Sequence, residues 1–164
     1  RSRGLGDVYK RQISKYEAAF AAVPLLVSFI PMIMDTGGNC GSQSSTLIIR
    51  GLAVDELHFA DTLSILWKEL RVALLVGLAL AAVESGVIMI RYNDPALAAV
   101  VSLSLMCTVA CAKVTGGLLP IAAKRLGLDP ALMAAPLITT VVDTVAMLIY
   151  FTIATVLFLS LIHI

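Results

Sequence analysis

Asp143 sits in the run Thr139-Thr140-Val141-Val142-Asp143-Thr144, inside a long apolar stretch that holds no basic residue. A charged group at bilayer depth costs ~2.5–3.5 kcal/mol on insertion scales. Three arrangements tolerate such an acid: protonation, a partner on another helix, or water shared with a cation. Upstream, Pro136 lacks a backbone N–H and is expected to displace the carbonyl of Leu132, and Thr139 and Thr140 add hydroxyls. Oxygen donors beside a carboxylate suit a hard cation; Mg²⁺ prefers oxygen ligands and keeps most of its water.

A second polar patch is formed by Asp35, Thr36, Asn39, Ser42, Gln43, Ser44, Ser45 and Thr46, with Gly37, Gly38 and Gly41 bringing backbone close to whatever packs there. Interhelical hydrogen bonding between small residues accounts for such a patch, and so does the wall of a pore; the two can occupy different faces. Glu84 and Lys113 lie at depths that allow a buried pair, although Lys113 could instead snorkel. Glu69 and Asp129 fall at the expected inner mouth, where acids are either merely solvated or concentrate cations. Cys40, Cys107 and Cys111 lack metal-ligand spacing and read as small apolar residues. His58 reads as an interfacial residue without a chemical role.

These residues must be carried by elements that live in lipid. Hydrophobic residues make up 59% of the 164 and charged ones 14%, against about 45–50% and 25% in soluble domains. That balance excludes a disordered chain, a nucleic-acid binder working through a basic face, and most soluble enzymes. Four apolar segments stand out, at about 18–49 (interrupted by Pro24, Pro31 and the polar stretch 35–45), 72–90, 96–123 and 131–158. Each can supply the ~20 residues that span ~30 Å of hydrocarbon. Helices are required there because the backbone has no water to bond, and strand-type alternation is absent. The expected architecture is an all-α polytopic membrane helix bundle of four crossing segments. A short interfacial helix is added through Leu57, Phe59, Leu63, Leu66 and Trp67. No phosphate-binding glycine loop, nucleophile elbow or catalytic triad occurs, so an enzyme is not expected.

Both ends carry foreign-looking sequence. The string GATGTGTATAAGAGACAG translates to Asp7–Gln12, and its reverse complement translates to Leu159–Ile164. Residues 1–12 and 159–164 therefore read as adapter-derived tails around a natural stretch, 13–158, that forms an ion-pore domain. Without the tails, which include Arg1, Arg3, Lys10, Arg11 and Asp7, the formal charge of +1 becomes mildly negative; neither the basic N-terminus nor His163 then carries a functional meaning. Basic residues collect on the cytoplasmic side. The connections 50–71 (Arg50, Lys68, Arg71) and 124–130 (Lys124, Arg125) are thus expected inside and the turn 91–95 outside. Segment one then starts outside, which implies a preceding helix.

Long motifs carry a resemblance at this point. Pro31-Met32-Ile33-Met34-Asp35-Thr36-Gly37-Gly38-Asn39-Cys40-Gly41-Ser42-Gln43 resembles the second-helix signature of the MgtE magnesium channels. Leu119-Pro120, Lys124-Arg125-Leu126-Gly127-Leu128-Asp129-Pro130-Ala131 and Ala135-Pro136-Leu137-Ile138-Thr139-Thr140-Val141-Val142-Asp143 resemble the end of that family's fourth helix and the start of its fifth. The resemblance implies a bacterial, multi-pass cell-membrane homodimer whose axial pore is lined by the family's second and fifth helices. Asp143 from each subunit would hold a largely hydrated Mg²⁺, with backbone at Thr139 and near Asp35 contributing. Asn39, Ser42, Ala135 and Thr140 would line the pore, and Glu69 and Asp129 would serve further Mg²⁺ sites on the cytoplasmic side. The segments here correspond to family helices two to five; helix one and the cytoplasmic N and CBS domains are not in this sequence. Asp35 stands where some relatives have Gly, and Ala135 where some have Asn. A cation- or proton-coupled secondary transporter is the alternative, since broken helices with midplane acids also suit alternating access.

Overall fold

The computed structural model describes the backbone of residues 3–133 and 135–162 and the side chains of residues 24–132 and 136–157. Four long helices follow one another: α1 (Arg3–Ala53), α2 (Thr62–Tyr92), α3 (Pro95–Arg125) and α4 (Ala135–Ile162), with 3₁₀ turns at Phe59–Asp61 and Pro130–Met133. Three stretches are long and apolar enough to cross a bilayer, Phe59–Tyr92, Pro95–Arg125 and Pro136–Leu157. The chain is a membrane-embedded helix bundle. The expectations for 1–12 and 159–164 concern side chains outside the described residues.

α1 differs from its sequence reading. It runs unbroken through Pro24 and Pro31 and through the polar stretch, where interruptions were expected. In hydrocarbon a broken helix strands amides that nothing else can satisfy. Continuity keeps them paired, while hydroxyls fold back onto the helix: Ser28 Oγ donates to the Leu25 carbonyl at 2.6 Å and Thr46 Oγ1 to the Ser42 carbonyl at 2.8 Å. The short helix expected before the second crossing is a single 3₁₀ turn that runs directly into α2. Leu63, Leu66 and Trp67 therefore occupy the first turns of α2.

α3 is the central helix. Of its most apolar window 56% is buried, against 22% in the stretch containing α2 and 28% in α4, and it packs on each of the other three. Its start is fixed locally. Asn93 takes a left-handed conformation (φ 49°) that ends α2, Pro95 opens α3, and the Asp94 carboxylate accepts from Ala96 N at 2.9 Å and Leu97 N at 3.1 Å. This is the tight turn expected at 91–95. Small residues then set the helix spacing. Ser85 and Ser102 share a hydrogen bond of 2.7 Å between α2 and α3. A Cβ on Gly116 would collide with the Gly41 carbonyl, so α1 and α3 cross backbone to backbone at that point.

Candidate cation site between the first and last helices

α4 presents Asp143 toward α1. The helix starts at Ala135, so Pro136 lies in its first turn, where the missing N–H leaves no gap. Leu132 belongs to the preceding 3₁₀ turn, and the carbonyl displacement expected from Pro136 does not arise. Instead the Pro136 carbonyl accepts from Thr139 Oγ1 at 3.1 Å and from Thr140 Oγ1 at 2.8 Å. Both threonine hydroxyls bond back onto the first turn of α4.

Asp143 is half-buried and opens into a groove of about 430 Å³ lined also by Met34, Thr140, Thr144 and three apolar side chains of α4. Glycine makes the close approach possible. A Cβ at Gly38 would stand 3.2 Å from Thr139 Cγ2 and 3.6 Å from Asp143 Oδ1. α1 thus passes directly against the turn that carries the carboxylate. Asp35 of α1 lies near enough to Asp143 for their charges to interact, so two acids from two helices share one neighbourhood.

The rest of the α1 patch divides by face. Asp35, Asn39, Ser42 and Thr46 recur at helical spacing along one side, exposed except for half-buried Ser42. Asn39 Nδ2 donates to Asp35 Oδ2 at 3.2 Å. Asn39, Ser42, Gln43, Thr46 and Leu47 line a second open groove of about 540 Å³, and Ser42 Oγ has no hydrogen-bond partner among the described residues. Ser44 and Ser45 lie on the opposite, buried side. The buried face packs between helices, as one reading of the patch expected, and the other face leaves its polar side chains exposed.

Glu69 and Lys113 require a correction. Lys113 pairs with Glu69, at 3.7 Å with both side chains nearly inaccessible, and not with Glu84; no ion pair among the described residues includes Glu84. Ser44 Oγ donates to the same Glu69 oxygen at 2.5 Å, tying α1, α2 and α3 together. The cause is where α2 begins. A helix starting near Val72 leaves Glu69 in a solvated connection; the actual start at Thr62 carries it into the bundle. Asp129 remains in the connection, exposed, with Oδ1 accepting from Ala131 N at 2.9 Å. Ala135 opens α4, and its side chain lies outside the described residues. The sequence marked Gly38 as a point of close backbone approach without naming Asp143 as what lies there, and it did not single out Met34 and Thr144 as groove residues. The adjacency of Thr144 to the acid was the available signal.

Chemically, one chain brings two carboxylates, an amide and helix carbonyls to this face. No cluster of three or more His, Cys, Asp or Glu able to hold a metal forms among the described residues. Such a donor set is too sparse for a dehydrated cation enclosed by one chain, and it suits an ion that retains water.

An all-helical bundle with leucine-rich outer surfaces and acids facing a groove defines a membrane helix bundle with one polar, acid-bearing face. The family model MgtE, described as a divalent cation transporter, matches residues 30–153, and the chain belongs to that family. It is 40% identical over 151 residues to the magnesium transporter MgtE of Thermus thermophilus, covering 91% of this chain and 33% of that protein. It is 35% identical over 143 residues to the magnesium transporter MgtE of Bacillus subtilis, covering 87% and 32%. The chain thus spans about a third of the length of these relatives.

Proposed function

We propose that residues 13–158 form the pore domain of a dimeric Mg²⁺ channel, in which Asp143 of each subunit holds one hydrated Mg²⁺ on the shared axis. The observation that carries this reading is the half-buried Asp143 opening beside the polar stripe of α1, with no basic group supplied by α4. Two carboxylates from two copies balance one dication. The family membership and the names of the relatives support Mg²⁺ as the ion carried. The exposed acid and amide of α1 are unsuited to lipid and suited to a wet pore wall. Asp129 offers an exposed acid near the start of α4. Glu69 lies deeper, shared with Lys113 and Ser44.

Mg²⁺ demands near-octahedral oxygen at ~2.0–2.1 Å and gives up water reluctantly. The protein therefore acts on the hydrated ion: the carboxylates and the Thr139 carbonyl accept from its waters, and Asn39 and Thr140 add polar lining. Movement follows the gradient, since a dication gains about 4.6 kcal/mol per 100 mV on entering a negative interior. Asp143→Ala should abolish saturable Mg²⁺ uptake into liposomes while the protein still elutes as a dimer. Uptake like that of the unmodified chain would overturn the reading. Flux that follows an imposed proton or Na⁺ gradient, without channel current, would favour a coupled transporter. The tails at 1–12 and 159–164 are tested by reading the coding DNA for the adapter string.

A further inference from the structure

α2 is longer than the membrane it crosses. Its 31 residues span about 46 Å, against about 30 Å of hydrocarbon. The excess leaves turns at headgroup level at its ends, and those at its start lie beside the ends of α1 and α3: Lys124 Nζ donates to the Leu52 carbonyl at 3.0 Å, and the Arg125 guanidinium stands 5.4 Å from the centre of the Phe59 ring. At this level lies an almost wholly apolar groove of about 540 Å³, lined by Leu63, Leu66, Trp67 and Leu70 of α2 and Val114 of α3. Leu63 is 80% exposed and Trp67 61%.

Cations surround it unequally. Lys124, Arg125 and Lys113 are engaged within the bundle. Lys68 and Arg71 are exposed, and neither takes part in an ion pair or hydrogen bond among the described residues. Lys68 follows Trp67 directly, and Arg71 lies one helical turn beyond it on the same side. Helical side chains lean toward the N-terminus, so Arg71 reaches outward from the hydrocarbon to the level of Trp67 and Lys68. The combination is an apolar slot at the interface with two uncommitted positive charges at its edge.

We propose that this groove is a binding site for an anionic phospholipid, whose phosphate lies on Lys68 and Arg71 and whose glycerol and first acyl carbons pack on Leu66, Trp67, Leu70 and Val114. The charge selects the headgroup, and the slot holds the chain. The site is separate from the Asp143 groove, so it stands or falls independently of the pore.

Trp67 is the sole tryptophan of the chain, which makes its fluorescence a direct reporter. The chain is reconstituted in phosphatidylcholine vesicles containing equal fractions of either phosphatidylglycerol or phosphatidylcholine brominated on the acyl chain, and quenching of Trp67 is measured. Brominated phosphatidylglycerol should quench with a relative affinity roughly fivefold higher for each cation engaged. Lys68→Gln and Arg71→Gln should each remove one such factor, and the double variant should bring the two lipids level. Raising the ionic strength should erode the preference in the unmodified chain as well, which tests the charge term without any substitution. Equal quenching by both headgroups in the unmodified chain, or a preference that survives the double substitution or high salt, would overturn the proposal.

Discussion

At the scale of single residues, two acids of one chain meet opposite environments. Asp143 opens into a groove, whereas Glu69 is closed inside, with Lys113 at 3.7 Å and Ser44 at 2.5 Å. Breaking a buried ion pair from one side leaves an uncompensated charge, at ~3–5 kcal/mol, while exchanging both partners for neutral groups is often close to neutral. Glu69→Gln and Lys113→Met are each expected to lower the thermal unfolding temperature in detergent sharply, and the double variant to recover most of the loss. A loss in the double variant equal to the sum of the two single losses would mean that the pair contributes nothing as a pair. Added Mg²⁺ should stabilise the unmodified chain; Asp143→Asn, by contrast, should leave the unfolding temperature without Mg²⁺ almost unchanged and remove that stabilisation. Asp143 was legible in the sequence because an acid without a basic neighbour in an apolar run is conspicuous. The partner of Lys113 was not legible, because it depends on whether Glu69 lies inside or outside the helix, and an amphipathic helix start gives no sharp signal.

At the scale of elements, helix spacing is set by the absence of side chains. Gly116 and Gly41 bring α1 and α3 into backbone contact, while Gly86 has nothing within 4 Å of where a Cβ would stand. Gly116→Ala should force the crossing apart and destabilise the bundle by about 2 kcal/mol or more, in the range for overpacked sites. Gly86→Ala should be neutral or stabilise α2 by up to ~1 kcal/mol from helix propensity. Paired thermal melts of the two variants check both. The extents of α3 and α4 were largely readable from apolar run length, with the ends off by a few residues, whereas α2 starts at Thr62, well before the expected 72. The continuity of α1 was not, since Pro24, Pro31 and the polar stretch are breakers in water. In lipid the cost of unpaired amides outweighs them. Pro136 was misread for a related reason: the same residue disrupts a helix interior and opens a helix, and only the true start at Ala135 distinguishes the two.

At the scale of the whole molecule, the outer surface is not uniform. α2 shows lipid-compatible side chains such as Leu74, Leu75, Leu78 and Ile90, while α1 exposes Asp35, Asn39, Gln43 and Thr46. A surface of the second kind needs water or another copy. Asn39→Cys should therefore form a disulfide-linked dimer on oxidation in bilayers, and Leu75→Cys, on the α2 face, should not. A non-reducing gel, with the unmodified chain as control for Cys40, Cys107 and Cys111, reads the result. Cross-linking through Leu75 alone would place the contact on the wrong side. The membrane class and the family were visible in the sequence; which faces turn outward was not, because composition averages over a helix that is polar on one side and packed on the other.

The corner at Asn93-Asp94-Pro95 has a consequence for how the chain is made. So short a link, stitched by Ser85 and Ser102 farther along, leaves α2 and α3 little choice but to enter the bilayer as a preassembled hairpin. α4 is synthesised afterwards, so its acid arrives when the glycine-faced wall of α1 and α3 can already be standing. Biogenesis then proceeds in an order that spares this lone acid from meeting bare lipid without neighbours.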